Sequence, residues 1–284
     1  MAETSMDQVP FAKMSGSGND FILIDNRSRV LQEQQIAAFV TGICRRRLSA
    51  GADGVILIEG SETADFRWRF FNADTSLAEM CGNGARCAAR FAFLQGICGA
   101  RLRFETGAGV IEAQVEGMRV KVKMTDPQDL RLDLRIDLAS GSLTVCSVNT
   151  GVPHAVVLTD GVEGVDVARV GREIRFHPQF APEGTNANFI CKESPGGIAI
   201  RTYERGVEGE TLACGTGAVA GALVAASILG LTSPVSVRTA GGGHLTVHFE
   251  NRSGFFRDVY QEGDARLVYT GVLHPEAWQQ DTAL

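Results

Sequence analysis

The sequence predicts a mixed α/β (α+β) protein of two pseudo-symmetric domains. Each is expected to be a curved, mostly antiparallel sheet wrapped round a central apolar helix, with the active site in the cleft between them. Three observations carry this. Short apolar or alternating runs of strand character recur along both halves, with helix-like segments between them. The motif Cys-Gly-x-Gly-Ala occurs twice, at Cys81 and at Cys214, each time opening a helix-like segment. These cysteines stand 133 residues apart, as do Thr106-Gly107-Ala108-Gly109 and Thr239-Ala240-Gly241-Gly242. Two landmarks sharing one offset indicate an internal duplication.

The elements follow in order. Residues 21–25 are an apolar run closed by the turn Asn26-Arg27-Ser28. Residues 34–47 read as helix, and 55–58 and 66–70 as strands, the second strictly alternating. The first cysteine motif leads a helix through Leu94, followed by strands over 102–105, 110–115 and 119–124. The charged, leucine-rich stretch 126–138 reads as the crossover between halves. Strand character returns at 145–148, 155–158, 189–191 and 198–203. The second cysteine motif and its apolar helix come next, then strands over 235–238 and 244–249. The domains are expected over 1–130 and 131–265, with the final strand in 266–284 able to rejoin the first.

The chain has 284 residues, 44% apolar and 21% charged, enough for two medium domains of ordinary globular composition. A net charge of −6 without lysine or arginine clusters gives no electrostatic footprint for nucleic acid. Arg45-Arg46-Arg47 is the one basic run and reads as a solvated helix end. The first residues lack a basic region and an apolar core, so no signal peptide is expected and the setting is read as cytoplasmic. Seven scattered cysteines, an odd number, read as reduced thiols. No CxxC or HExxH motif suggests a metal. Residues 212–231 are uncharged and long enough for a membrane, but alanine and glycine dominate, so a buried helix is expected.

A cysteine immediately before Gly-x-Gly-Ala sits at a helix N-terminus, where unpaired N–H groups and the helix dipole favour an anion. Such a position depresses a thiol pKa and can also hold a carboxylate. Two such turns suit racemisation or epimerisation: one thiolate removes an α-proton and the other thiol protonates the opposite face. Cys87, six residues past Cys81, falls roughly 120° round the helix. It reads as core, like Cys44, Cys98, Cys146 and Cys191.

Two rivals are weaker. Gly215-Thr216-Gly217-Ala218-Val219-Ala220 fits the loose dinucleotide pattern, but no acidic residue follows between 227 and 239. The four lysines, Lys13, Lys121, Lys123 and Lys192, include none in a convincing loop for a pyridoxal phosphate Schiff base.

The chain resembles the diaminopimelate epimerase family over nearly its whole length. Lys13-Met14 with Gly18-Asn19-Asp20-Phe21 resembles the family's opening motif. Phe71-Asn72-Ala73-Asp74 leading to Glu79-Met80-Cys81-Gly82-Asn83-Gly84-Ala85-Arg86-Cys87 resembles the first cysteine motif. Gly184 to Phe189, Glu204-Arg205-Gly206 and Gly209 to Gly217 resemble the remainder. The resemblance implies cofactor-free interconversion of LL- and meso-diaminopimelate, with Cys81 and Cys214 as the acid/base thiols. It implies that Gly82, Asn83, Gly215 and Thr216 hold the reacting carboxylate, that Asn72, Asn186, Glu204 and Arg205 read the far end, and that Asn19 lines the same site. His154 would stand nearby, as a site or a structural histidine. A homodimer is also implied.

This chain departs from the family in three places. It has Gly151-Val152-Pro153-His154 where Gly-Asn-Pro-His is usual, Gly54 where some members carry glutamine, and Thr75 and Leu77 where glycine and glutamate are common. Losing the asparagine at 152 removes a bond worth about 1.5–3 kcal/mol to a charged group. A two-thiol racemase for a proline-like substrate, and a non-catalytic thiol redox or binding protein, remain alternatives.

Overall fold

The structure is a computed structural model that describes residues 8–139, 141–193 and 195–279. Residues 1–7, read above for a signal peptide, and 280–284, the end of the final segment, lie outside the described residues. The chain divides into two compact units, one running up to Val122 and resuming at Asp264, the other from Lys123 to Gly263.

In the first unit β1 (Val9–Gly16) turns back antiparallel into β2 (Asn19–Asp25). Helix α1 (Glu33–Ile43) crosses over to β3 (Gly54–Glu59), parallel to β2. A capping box between Gln32 and Gln35 starts α1. Next come β4 (Phe66–Asn72), antiparallel to β3, and the short β5 (Leu77–Ala78). Helix α2 (Gly82–Leu94) carries the chain to β6 (Arg101–Thr106), parallel to β4. Two hairpins add β7 (Gly109–Glu116) and β8 (Arg119–Lys123).

The second unit repeats this order. Strand β9 (Gln128–Leu138) pairs antiparallel with β10 (Gly141–Asn149), which pairs with β11 (Pro153–Leu158). Helix α3 (Val167–Arg175) crosses to β12 (Asn186–Glu193), parallel to β11. Then follow β13 (Gly197–Glu204), the short β14 (Gly209–Thr211), α4 (Gly215–Leu229), and β15 (Val235–Arg238) parallel to β13. Strands β16 (His244–Arg252) and β17 (Phe255–Asp264) complete it. The last strand, β18 (Arg266–Leu273), returns to the first unit and pairs antiparallel along β1, from Val9 opposite Leu273 to Ser15 opposite Arg266.

Each unit packs a helix of small residues into its sheet. In α2, Ala85, Ala88, Ala89 and Ala92 are buried among Leu23, Phe66, Trp68 and Phe104. In α4 every residue from Gly217 to Ala226 is buried, so the uncharged segment is a core helix apolar on all sides. No helix among the described residues is long and apolar enough to cross a membrane. A third cluster seats α1 against Val9, Val55, Leu57 and Trp278.

Two local expectations change. The stretch 126–138 is not merely a crossover: from Gln128 it is an eleven-residue strand. Its alternation of Leu130, Leu132, Leu134, Ile136 and Leu138 with polar residues has the period of a strand. Helix α1 stops at Ile43, so the arginine run lies beyond it. Arg46 there bridges Asp20 at 2.5 Å and Asp53 at 2.8 Å and is more than a solvated helix end.

Candidate active site

Both cysteines are helix N-caps with extended backbone, as the repeated motif requires. Cys81 opens α2 with φ −150°, and its sulfur accepts a bond from the Gly84 N–H at 3.5 Å. Cys214 opens α4 with φ −105°, and its sulfur lies 3.6 Å from Thr216 Oγ1. Cys214 is buried and Cys81 half-buried. Gly82 and Asn83, and Gly215 and Thr216, occupy the first helical positions, whose N–H groups have no acceptor within the helix.

The surroundings of the two thiols differ. In the first unit Asn83 is buried, and its Nδ2 donates to Asn19 Oδ1 at 2.6 Å. Asn19 Nδ2 in turn donates to Asp53 Oδ2 at 3.0 Å. Arg86, wholly buried, donates to Asn83 Oδ1 and Ser17 Oγ, both at 2.7 Å, and to the Gly82 and Asp264 carbonyls at 3.3 Å. Burial pulls its pKa down from the ordinary arginine value. Asn19 and Asn83 are thus brought into direct contact. Asn72 ends β4 opposite Gly54 and closes its own turn, with Nδ2 donating to Ser76 Oγ at 2.9 Å.

In the second unit Gln261 Nε2 donates to the Gly215 carbonyl at 2.7 Å, and Thr150 Oγ1 to the Thr216 carbonyl at 3.1 Å. Asn188 lies wholly buried beside the start of α4. Its Nδ2 donates to the Ala155 carbonyl at 3.0 Å and meets His154 Nδ1 at 3.1 Å, while its Oδ1 accepts from Thr202 Oγ1 at 3.0 Å. A Cβ on Gly217 would stand 2.5 Å from Asn188 Oδ1 and 3.2 Å from Cys214 Sγ, so only glycine fits there. Since Asn188 donates to Nδ1, the neutral His154 ring carries its proton on Nε2. That atom is buried and has no partner among the described residues. Burial, with Arg205 nearby, pushes His154 down to about 3.

The remaining expected residues gather on β12 and β13. Asn186 Nδ2 donates to the Pro153 carbonyl at 3.0 Å, and its Oδ1 accepts from the Arg205 N–H at 2.9 Å. Glu204 accepts from Thr211 Oγ1 at 2.7 Å, and burial raises its pKa. The Arg205 guanidinium donates to the Glu183 carbonyl at 3.3 Å.

Sheet register matches the two repeats residue by residue. Phe21 opposes Gly54 where β2 meets β3, and His154 opposes Asn186 where β11 meets β12. His154, Asn188 and Thr202 therefore occupy the places of Phe21, Ile56 and Phe70. A polar trio lies under Cys214 where an apolar trio lies under Cys81. Glu204 takes the place of Asn72, and Val152 that of Asn19. A Cβ on Gly54 would come within 2.4 Å of the Phe71 carbonyl, so a larger side chain at this position does not fit this backbone unshifted.

Sequence reasoning missed Asn188, Thr202, Gln261, Asp53 and the role of Arg86. Asn188 had a signal, since it follows Asn186 by two residues and so shares its strand face. Gln261 had none, being remote in sequence from Gly215. Cys87 is wholly buried and its thiol is pushed up to about 12 by burial, as a core residue should be. Cys44, Cys146 and Cys191 are buried too, whereas Cys98 is half-buried at the core's edge.

A family profile described as Diaminopimelate epimerase matches residues 11–130 and 146–268. The diaminopimelate epimerase of Aquifex aeolicus is 46% identical over 278 residues, covering 94% of this chain and 98% of that one. That of Archaeoglobus fulgidus is 41% identical over 280 residues, covering 94% and 96%. Among solved structures, a phenazine biosynthesis protein of the PhzF family from Bacillus anthracis superposes with a TM-score of 0.70 at 18% identity, covering 94% of this chain and 99% of that one. A hydroxyproline epimerase from Agrobacterium vitis, with bound trans-4-hydroxy-L-proline, gives 0.67 at 16%, covering 96% and 93%. At such identities these two speak for the fold alone.

Proposed function

The chain belongs to the diaminopimelate epimerase family, and from that premise we propose that it interconverts LL- and meso-2,6-diaminopimelate with Cys81 and Cys214 as the two acid/base groups. The product serves lysine and peptidoglycan precursor synthesis. The observation that carries this reading is the pair of helix starts, each capped by a cysteine and each led by N–H groups without helical acceptors.

In the proposed reaction one cysteine, as thiolate, takes the α-proton. The charge left behind spreads into the carboxylate, which accepts bonds from the N–H groups of Gly82, Asn83, Gly215 and Thr216. The other cysteine, as thiol, delivers its proton to the opposite face. The two sulfurs end with their protonation states exchanged, so the reverse reaction starts from the other thiolate. Asn72, Asn186, Glu204 and Arg205 are assigned to the distal ammonium and carboxylate, a guanidinium being suited to bidentate carboxylate binding. Val152 offers no side-chain bond where Asn19 does in the other repeat. The protein is read as a cytoplasmic homodimer; Leu267, Val268, Tyr269 and Val272 of β18 are exposed apolar side chains available for that contact.

The test is incubation of reduced protein with LL-diaminopimelate in D₂O, followed by chiral analysis and mass spectrometry. The expected result is meso product with one deuterium at the inverted carbon. Cys81→Ala and Cys214→Ala should each lower turnover by at least about 10³-fold while leaving the fold intact, since each removes one of two obligatory proton carriers. Full turnover in either variant would rule out the two-thiol mechanism, and no product from the parent protein would rule out the substrate.

A further inference from the structure

We propose that Asp53 and Arg86 are positioning residues for the start of α2, fixing the direction of an asparagine relay that keeps the Asn83 side chain off its own helix terminus. The inference rests on the reading of Gly82 and Asn83 as carboxylate-binding positions.

The relay has one direction. Arg86 Nη2 donates to Asn83 Oδ1, Asn83 Nδ2 donates to Asn19 Oδ1, and Asn19 Nδ2 donates to Asp53 Oδ2. A lone amide can turn over and still find partners. Here the ends forbid it, because a guanidinium only donates and an ionised carboxylate only accepts. Reversing either amide sets N–H against guanidinium or C=O against carboxylate. Asp53 is itself held by Arg46 at 2.8 Å and by the Asp20 N–H at 3.1 Å. Asp20 is gripped by Arg46 and by Lys13, which also donates to the Gly51 carbonyl. Burial would raise the Asp20 pKa, but the bonds from Arg46 and Lys13 outweigh it and bring the carboxyl to about 2.

The consequence falls on the helix start. Asparagine readily bonds nearby backbone N–H groups and competes for such termini. Asn83 is the second residue of α2, next to the N–H groups that a substrate carboxylate would use. Drawn aside by Asn19 and Arg86, its amide leaves them open. Arg86 also holds the Gly82 carbonyl, so one buried cation fixes the backbone of the first helical residue and the side chain of the second. The second repeat has no such relay. At the places of Asn19, Asn83, Asp53 and Arg86 it has Val152, Thr216, Thr185 and Val219. The fold therefore does not require the relay, which marks it as a device of this helix start.

The test is Asp53→Asn, whose neutral end no longer dictates direction. In ¹⁵N-asparagine-labelled, substrate-free protein, the side-chain signals of Asn19 and Asn83 should shift, while those of Asn186 and Asn188 stay in place. The KM for diaminopimelate should rise at least tenfold with a smaller change in kcat, the pattern of lost carboxylate binding. Asp53→Glu, which restores an acceptor-only end, should return the signals and most of the KM. Unmoved signals, or moved signals with unchanged KM, would overturn the proposal. A parent protein inactive on diaminopimelate would instead sink the substrate reading, and the amide signals would still decide the relay.

Discussion

At the scale of single residues, the two helix starts are built on the same motif but tolerate change differently, and distances decide how. Gly217→Ala would place a Cβ 2.5 Å from Asn188 Oδ1 and 3.2 Å from the Cys214 sulfur. Asn188 is pinned on three sides, so it cannot give way cheaply. The expected cost is about 1–3 kcal/mol of stability, together with a loss of turnover on the order of 10² from a displaced thiol. Gly84→Ala meets Ile56 Cδ1 and Trp68 Cζ3 at 3.3 Å and Cys81 Cβ at an ordinary 3.6 Å, with no contact under 3.0 Å, and should be far milder. Urea unfolding and kcat for both variants check this, and equal effects would refute it. His154 carries a pH prediction. Burial holds its folded pKa near 3, against 6.5 in the unfolded chain. Between those values the unfolded chain binds the proton and the folded chain does not, so stability falls as pH falls from 6.5 towards 3. Between pH 7 and 5 the loss is roughly 2 kcal/mol. Glu204 acts in the opposite sense, its raised pKa favouring the folded state as pH falls. His154→Gln keeps an acceptor for Asn188 and should remove most of the acid-side loss. An unchanged difference between urea midpoints at pH 7 and pH 5 would show that the slope arises elsewhere.

At the scale of elements, legibility tracked how directly local sequence encodes local structure. Strand β15 was read at its observed limits, and α4 nearly so, because apolar runs and glycine punctuation mark their ends. Gly230, left-handed at φ 66°, closes α4 where the apolar run stops. Strand β9 departs from the expected crossover because the charges between its leucines mask its alternation; two left-handed residues, Asp129 at φ 54° and Asp133 at φ 61°, interrupt it as well. Helix α3 is absent from the elements expected above although Val167, Val170 and Ile174 have helical spacing, because it spans only nine residues and four of them, Arg169, Arg172, Glu173 and Arg175, are charged. The candidate site divides the same way. The caps Cys81 and Cys214 are local features and were read from the chain alone. The groups that hold the helix starts come from segments distant in sequence: Asp53 under Asn19 from just before β3, Gln261 on Gly215 from β17, and Asn188 under Gly217 from β12. Only the sheet register brings them there. Thr75 lies between these cases: it sits at φ 72°, a region that favours glycine, although sequence alone gave no reason to expect it.

At the scale of the whole molecule, the duplication is visible in the chain, but its permutation is not. Each repeat needs an outer strand beside its first hairpin. In the second repeat that strand, β9, immediately precedes β10 in sequence. In the first repeat the same place beside β1 is taken by β18, from the far end of the chain. The residues after β18 are part of that unit too, since Trp278 packs on Phe39 with ring centroids 5.1 Å apart and Ser49 Oγ donates to the Ala277 carbonyl at 2.7 Å. The present order thus threads the chain through the first unit, the second and the first again. A circular permutant beginning at Ala265 would make both repeats continuous. Val9 and Leu273 are register partners and Val9 shares a core with Trp278, so a linker of about ten residues, reaching up to ~33 Å, suffices to replace residues 280–284 and 1–7. New ends between Asp264 and Ala265 break no strand, because β17 stops at Asp264 and β18 starts at Arg266. The permutant should fold with the parent's circular dichroism but at a lower urea midpoint, because the cut is buried: Ala265 is in the core, its N–H donates to the Met118 carbonyl at 2.9 Å, and Arg86 and Arg90 donate to the Asp264 and Ala265 carbonyls. Truncation at Asp264 should instead leave β1 without its outer strand and Phe39 without Trp278, and the first unit should fail to fold. If the permutant failed as well, the covalent return of β18 would itself be needed for folding, rather than only its place beside β1.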